Sequence, residues 1–200
     1  MNRSRKLLFA AAIFGTAIFG STQANATDID VSATMTASAA VTVANNANID
    51  FGGIDFVAGA NSGTLELGPD GNAAAGGGSV NLTPTGTATA GLLNVTSNAG
   101  TIEVSCDATA IISDGTRALN ITAVVWDQSA AAAYGAATNT CAGLGAGAVA
   151  INTAVTNDPA INIGAELTIG ANALDGSGGG TPYDTATGTG DPISFRLVFQ

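Results

Sequence analysis

From Ile29 to Val43 every odd position is apolar: Ile29, Val31, Ala33, Met35, Ala37, Ala39, Val41 and Val43. The even positions between them are Asp30, Ser32, Thr34, Thr36, Ser38 and Thr42, with Ala40 the one exception. A period of two puts every second side chain on the same face of an extended strand. An ordinary strand runs about five or six residues. The stripe therefore implies either two strands joined by a bend near Ser38 or one very long strand. Its apolar row must be buried, in its own domain or in another molecule that it joins by edge pairing.

What precedes the stripe reads as an export signal. Arg3, Arg5 and Lys6 are followed by an apolar run over residues 7–19 and then by Ala24-Asn25-Ala26. A basic start, a short apolar core and small residues at a cleavage site, in that order, are the marks of a secretory leader. The apolar core is too short to span a bilayer comfortably. Residues 1–26 are thus expected to be removed. The mature chain would be exported.

Removal of the leader changes the charge. Three of the five basic residues lie in it and none of the fifteen acids does. Arg117 and Arg196 remain against fifteen carboxylates, a formal charge of −13. Binding to nucleic acid or to an anionic membrane surface needs clustered Lys or Arg, which this chain lacks. The acids are scattered singly, the pattern of a solvated surface. No later stretch is long and apolar enough for a membrane-spanning helix.

The composition also removes most catalytic chemistry. There is no His anywhere and no Lys beyond the leader. Ser-His-Asp and Cys-His machinery and Schiff-base chemistry are therefore unavailable. Acid pairs such as Asp28/Asp30 and Asp50/Asp55 are what fifteen scattered acids offer by proximity. Asp175-Gly176-Ser177-Gly178-Gly179-Gly180 lacks the alternating ligands of a calcium loop. Gly76-Gly77-Gly78 follows no strand–helix pattern that would cradle a phosphate. No catalytic residue, metal site or cofactor is expected, and the protein is read as a non-enzyme. Trp126 ends an apolar segment and reads as a core or edge residue, with sugar stacking the functional alternative.

Cys106 and Cys141 are the only cysteines. An even pair in an exported chain reads as a disulfide. Strand signals fall at residues 65–67, 79–83, 92–96, 101–105, 119–126, 161–169 and 193–199. Gly68-Pro69-Asp70-Gly71 is a turn with a mechanism, since Pro presets φ and Gly tolerates the exit. Alanine-rich residues 129–137 fit a loop or a short helix. Glycine-rich residues 171–191 read as a long flexible connection. At the C-terminus Ile193, Phe195, Leu197 and Phe199 face one way, which makes 193–199 a core strand or a strand recognised through its edge. Short strands separated by turns favour an antiparallel sandwich or barrel.

Three stretches carry a resemblance. They are Asn48-Ile49-Asp50-Phe51-Gly52-Gly53-Ile54, Gly63-Thr64-Leu65-Glu66-Leu67 running into Pro69-Asp70-Gly71, and the segment from Ile163 to Asn172 before the closing aromatic strand. In this order they resemble a family of small exported bacterial proteins of unassigned function. More remotely, the chain is similar to the subunits of chaperone–usher pili. Residues 106–157 depart from the usual short form and look like an insertion. The resemblance implies an immunoglobulin-like antiparallel β-sandwich with an N-terminal extension. Residues 27–44 would be the extension or donor strand and residues 45–200 the sandwich. Ile29, Val31, Ala33 and Met35 would be the knobs that fill a neighbour's groove, although Ala33 is small for such a position. Phe199 matches the penultimate aromatic of pilin C-termini.

The expectation is a secreted structural subunit of a surface fibre, assembling by strand complementation with copies of itself. A periplasmic chaperone and an outer-membrane usher are the implied partners. Two other readings stay open. One is a self-complete exported sandwich that binds a ligand such as carbohydrate. The other is a small outer-membrane barrel, for which aromatic girdles are scarce.

Overall fold

The computed structural model describes residues 27–30, 35–37, 41–97, 100–152, 159–176 and 182–199. The expected leader, residues 1–26, lies outside them, as do Val31, Ala33, Ser38, residues 177–181 and Gln200. The chain is all-β. Its strands are β1 (Thr27–Asp30), β2 (Met35–Ala37), β3 (Val41–Ala47), β4 (Gly53–Phe56), β5 (Gly63–Leu67), β6 (Ala73–Ala75), β7 (Leu82–Thr85), β8 (Gly91–Ser97), β9 (Thr101–Cys106), β10 (Ala110–Ser113), β11 (Ala118–Asp127), β12 (Asn139–Thr140), β13 (Val149–Asn152), β14 (Ala160–Ile169) and β15 (Ser194–Phe199).

They form two principal antiparallel sheets and a small one. The larger sheet runs β10-β11-β14-β8-β3-β2, with β5 and β6 continuing from β14 and β12 on β11. The second sheet runs β1-β15-β9-β13, and β4 pairs with β7 as a separate ribbon. The two principal sheets form a sandwich. Among the described residues neither closes into a barrel, so the outer-membrane barrel alternative does not fit this fold.

Alternation explains which faces meet. On β14 the odd residues Ile161, Ile163, Ala165, Leu167 and Ile169 are buried, and Leu65 and Leu67 of β5 lie beside them. The second sheet contributes Ile102, Val104, Phe195, Leu197 and Ile151 to the same core. A strand buried on one face shows this two-residue period. β11 breaks the parity. Leu119 and Ile121 face the core, then Val124 and Trp126 do, because the register shifts between Ile121 and Ala123. Such a bulge adds one residue and moves the apolar set by one position.

Gly68-Pro69-Asp70-Gly71 forms the expected turn: the Gly71 amide donates to the Gly68 carbonyl at 2.9 Å, and Gly71 has φ of 76°. Within residues 129–137 the regular piece is a 3₁₀ turn, Tyr134–Ala136. The glycine-rich connection differs from the expectation of a free linker. The Asp184 and Asp191 backbones exchange hydrogen bonds with Ser113 and Ile111 of β10 at 2.8–3.0 Å. Asp175 takes bonds from the Asn61 amide at 2.6 Å and the Gly59 N–H at 2.8 Å. The physical reason is the open edge of β10, whose backbone groups need partners. Asp175 thereby fastens two loops together.

Cys106 and Cys141 form a disulfide, with Cα atoms 5.1 Å apart. Cys106 ends β9 in the second sheet. Cys141 directly follows β12, and its N–H donates to Val124 of β11. The bond therefore staples one sheet of the sandwich to the other, in a core that also holds Trp126. Trp126 is 1% exposed, so its ring is not available for sugar stacking.

Candidate functional site: the strand that covers the C-terminal strand

The C-terminal strand β15 has the alternation read from the sequence. Ile193, Phe195 and Leu197 are buried, while Ser194, Arg196 and Val198 on the other face are half-buried. One edge pairs with β9, Phe195 opposite Cys106 and Phe199 opposite Ile102. A latch secures its start: the Asp107 N–H donates to the Ser194 carbonyl at 3.0 Å, and the Ser194 N–H donates to the Asp107 carboxylate at 3.1 Å.

The other edge is covered by β1. The two strands run antiparallel, with Thr27 opposite Leu197, Asp28 opposite Arg196, Ile29 opposite Phe195 and Asp30 opposite Ser194. Directly opposite residues share a face of the sheet. Position 29 therefore falls on the core face with Phe195. Positions 28 and 30 fall on the outer face, where Arg196 lies. Arg196 thus stands opposite Asp28 in the register.

The stripe then changes sheet. Met35 pairs with Val43 and Ala37 with Val41, so β2 is an edge strand of the larger sheet. Position 35 shares the core face of Val43, which is fully buried. Of the four expected knobs, Ile29 and Met35 occupy core-facing register positions in different sheets; Val31 and Ala33 lie outside the described residues. The residues at 193–199 and the stripe are brought together. Sequence alternation gave their faces but not this pairing, which joins opposite ends of the chain.

Among the described residues there is no group of three or more potential metal ligands. A shallow open cleft of about 370 Å³ is lined by Phe51, Asn72, Pro84, Thr85 and Thr87 among others, without a charged side chain. On the outer face of the larger sheet Glu66 stands opposite Glu166, and Thr122 donates to Glu166 at 2.8 Å. Tyr134 sits near this pair. Burial, then the charges of Glu166 and Glu66, push its phenol up to about 12. At the end of β11 the Asp127 carboxylate is partly desolvated, which opposes ionisation. Hydrogen bonds from Thr138, Ser129 and Gln128 outweigh this and hold it below its ordinary range. Both groups fasten residues 128–140 to the larger sheet.

No curated protein and no solved structure matches the chain. Residues 41–185 match the family model of DUF4402, a domain of unknown function, and the chain belongs to that family.

Proposed function

We propose that the protein is an exported structural subunit that assembles into a surface fibre by exchanging its first strand. The observation that carries this reading is the β1–β15 pairing. A short strand at the start of the mature chain covers the edge of the C-terminal strand, and its position 29 stands opposite the buried Phe195 in the register. A second copy offers the identical strand. Exchange between copies therefore preserves each ladder bond and replaces an internal contact with an intermolecular one, which is the logic of domain swapping. Donated head to tail, the contact does not close and propagates as a fibre. The resemblance to pilin subunits supports the same reading. It adds a periplasmic chaperone and an outer-membrane usher as partners that hold the β15 edge before β1 of a neighbour arrives.

The same pairing favours a second reading, a self-complete sandwich in which β1 stays at home and the exported domain acts as a binding module.

One experiment separates them. Asp28→Cys with Arg196→Cys places a thiol pair at directly opposed positions. Oxidation under assembly conditions, followed by non-reducing electrophoresis, yields a ladder of covalent multimers if β1 is exchanged. Cross-linked monomer alone under every condition refutes the fibre and leaves the binding module.

A further inference from the structure

The second sheet has another edge. β13 pairs with β9 through Val149 opposite Val104 and Ile151 opposite Ile102, and among the described residues no strand lies on its far side. Natural edges are guarded by charge, proline, bulges or a covering segment. The other four-residue edge strands here follow that rule. β1 carries Asp28 and Asp30, β4 carries Asp55, β7 carries Pro84, and β10 is bonded by Asp184 and Asp191. Among the described residues β13 has none of these guards. It lies inside a run from Gln128 to Asn157 that contains no charged residue and no proline, 30 residues in a chain otherwise dotted with acids. Within this run Ala148 and Ala150 are exposed and Leu144 is 36% exposed.

We infer that β13 is a self-association edge whose occupant is β13 of a second copy. The charge balance selects that occupant. Two mature chains at −13 each repel wherever their acidic surfaces meet. A neutral run is where two copies approach at least cost. The sequence of β13 also fits itself. In an antiparallel pair, opposed residues share a face, so the two copies must align odd with odd positions. Val149 then faces Ile151 of the second copy, both on the core side, and Ala150 faces Ala150 on the outer side. Val149 is half-buried and Ile151 is 2% exposed, so the core face continues across the junction. The small outer residues leave no bulk between the backbones. The product is one continuous eight-stranded sheet with a two-fold axis, within the ordinary range of sheet sizes. This contact is independent of strand exchange at β1, which occupies the opposite edge. If both operate, β13 links fibres side by side.

The test uses residues 27–200 in sedimentation velocity over a wide concentration range, with hydrogen exchange read at residues 148–152. The expected result is a reversible monomer–dimer equilibrium, with amides of β13 protected more strongly as concentration rises. Ala150→Lys sets two lysines face to face and is expected to weaken dimerisation at least tenfold. Ala130→Lys, the same charge change at an exposed position off the edge, leaves it unchanged. A purely charge-driven account predicts stronger association for both, because each lysine reduces the net negative charge. The oxidised, monomeric Asp28→Cys/Arg196→Cys chain, with β1 locked onto its own domain, dimerises through β13 as well as the parent does. Monomer at all concentrations, equal behaviour of the two lysine variants, or loss of dimer in the locked chain overturns the inference. The last of these outcomes would leave strand exchange standing.

Discussion

The disulfide gives the most direct quantitative test of how the sandwich is held. Cys106 and Cys141 are separated by 35 residues, and the loop they close contains β10, β11 and β12. Cross-linking a loop of this length removes chain entropy from the unfolded state worth about 4 kcal/mol. In a domain of this size each kcal/mol moves the melting temperature by about 2–4 °C. Replacing both cysteines by alanine should therefore lower the midpoint by roughly 8–16 °C, from the cross-link alone. Both cysteines are buried, at 1% and 6% exposure, so lost packing adds to this rather than offsetting it. Calorimetry of the parent and the Cys106→Ala/Cys141→Ala chain at one pH measures the shift. Hydrogen exchange adds a local readout. The Cys141 amide donates to Val124 and the Gly143 amide to Cys106, both at 2.9 Å, and both should lose protection first. Midpoints within about 2 °C of each other, well below the shift expected from the lost loop closure, would refute the claim that this bond braces the two sheets.

Two further outcomes follow from the outer face of the larger sheet. A Cβ on Gly164 would overlap the Leu67 carbonyl oxygen and lie 2.9 Å from Pro69 Cδ, so Gly164→Ala must displace the turn after β5. It should cost about 1–3 kcal/mol or more in denaturant titration, while Gly77→Ala, with nothing within 4 Å, should be neutral or slightly stabilising. The Tyr134 phenol, pushed up to about 12 by burial and by Glu166 and Glu66, should ionise nearer its ordinary value in Glu166→Gln, as read by ultraviolet titration. The sign on stability is fixed by linkage. The folded state resists losing this proton, so its contribution is whole below about pH 10 and is lost as pH rises toward 12. A parent chain whose stability rises over that window contradicts the assignment.

Much of this fold was legible because long strands buried on one face write their period into the sequence. β14 and β15 do so through Ile161 to Ile169 and Ile193 to Leu197. β11 was legible as a strand but not in phase, since its bulge moves the core set from Leu119 and Ile121 to Val124 and Trp126. β6 and β13 were not legible. Ala73–Ala75 carries no alternation, and Val149–Asn152 sits in a Gly/Ala run whose extended form is imposed by β5 and β9 respectively. The site had the same limits. Alternation assigns a face to Ile29, but nothing local to the stripe names Phe195 as its opposite number. The division of the stripe between two sheets is a tertiary choice, made where each sheet offers an open edge.

That division bears on how firmly β1 is held. A four-residue strand offers roughly four ladder bonds of about 1 kcal/mol each. Fixing four residues costs about 1–2 kcal/mol apiece in backbone entropy. The two nearly cancel, so covalent attachment to its own domain decides where β1 pairs. A tether acts as an effective concentration, in the millimolar range for short flexible links. At low subunit concentration the strand therefore stays on its own β15. Under the proposed exchange, a neighbour's strand competes only where it is delivered at comparable local density, or where a partner holds the β15 edge open. On the proposed strand exchange, that competition between a strand's own domain and its neighbour sets the concentration at which assembly begins.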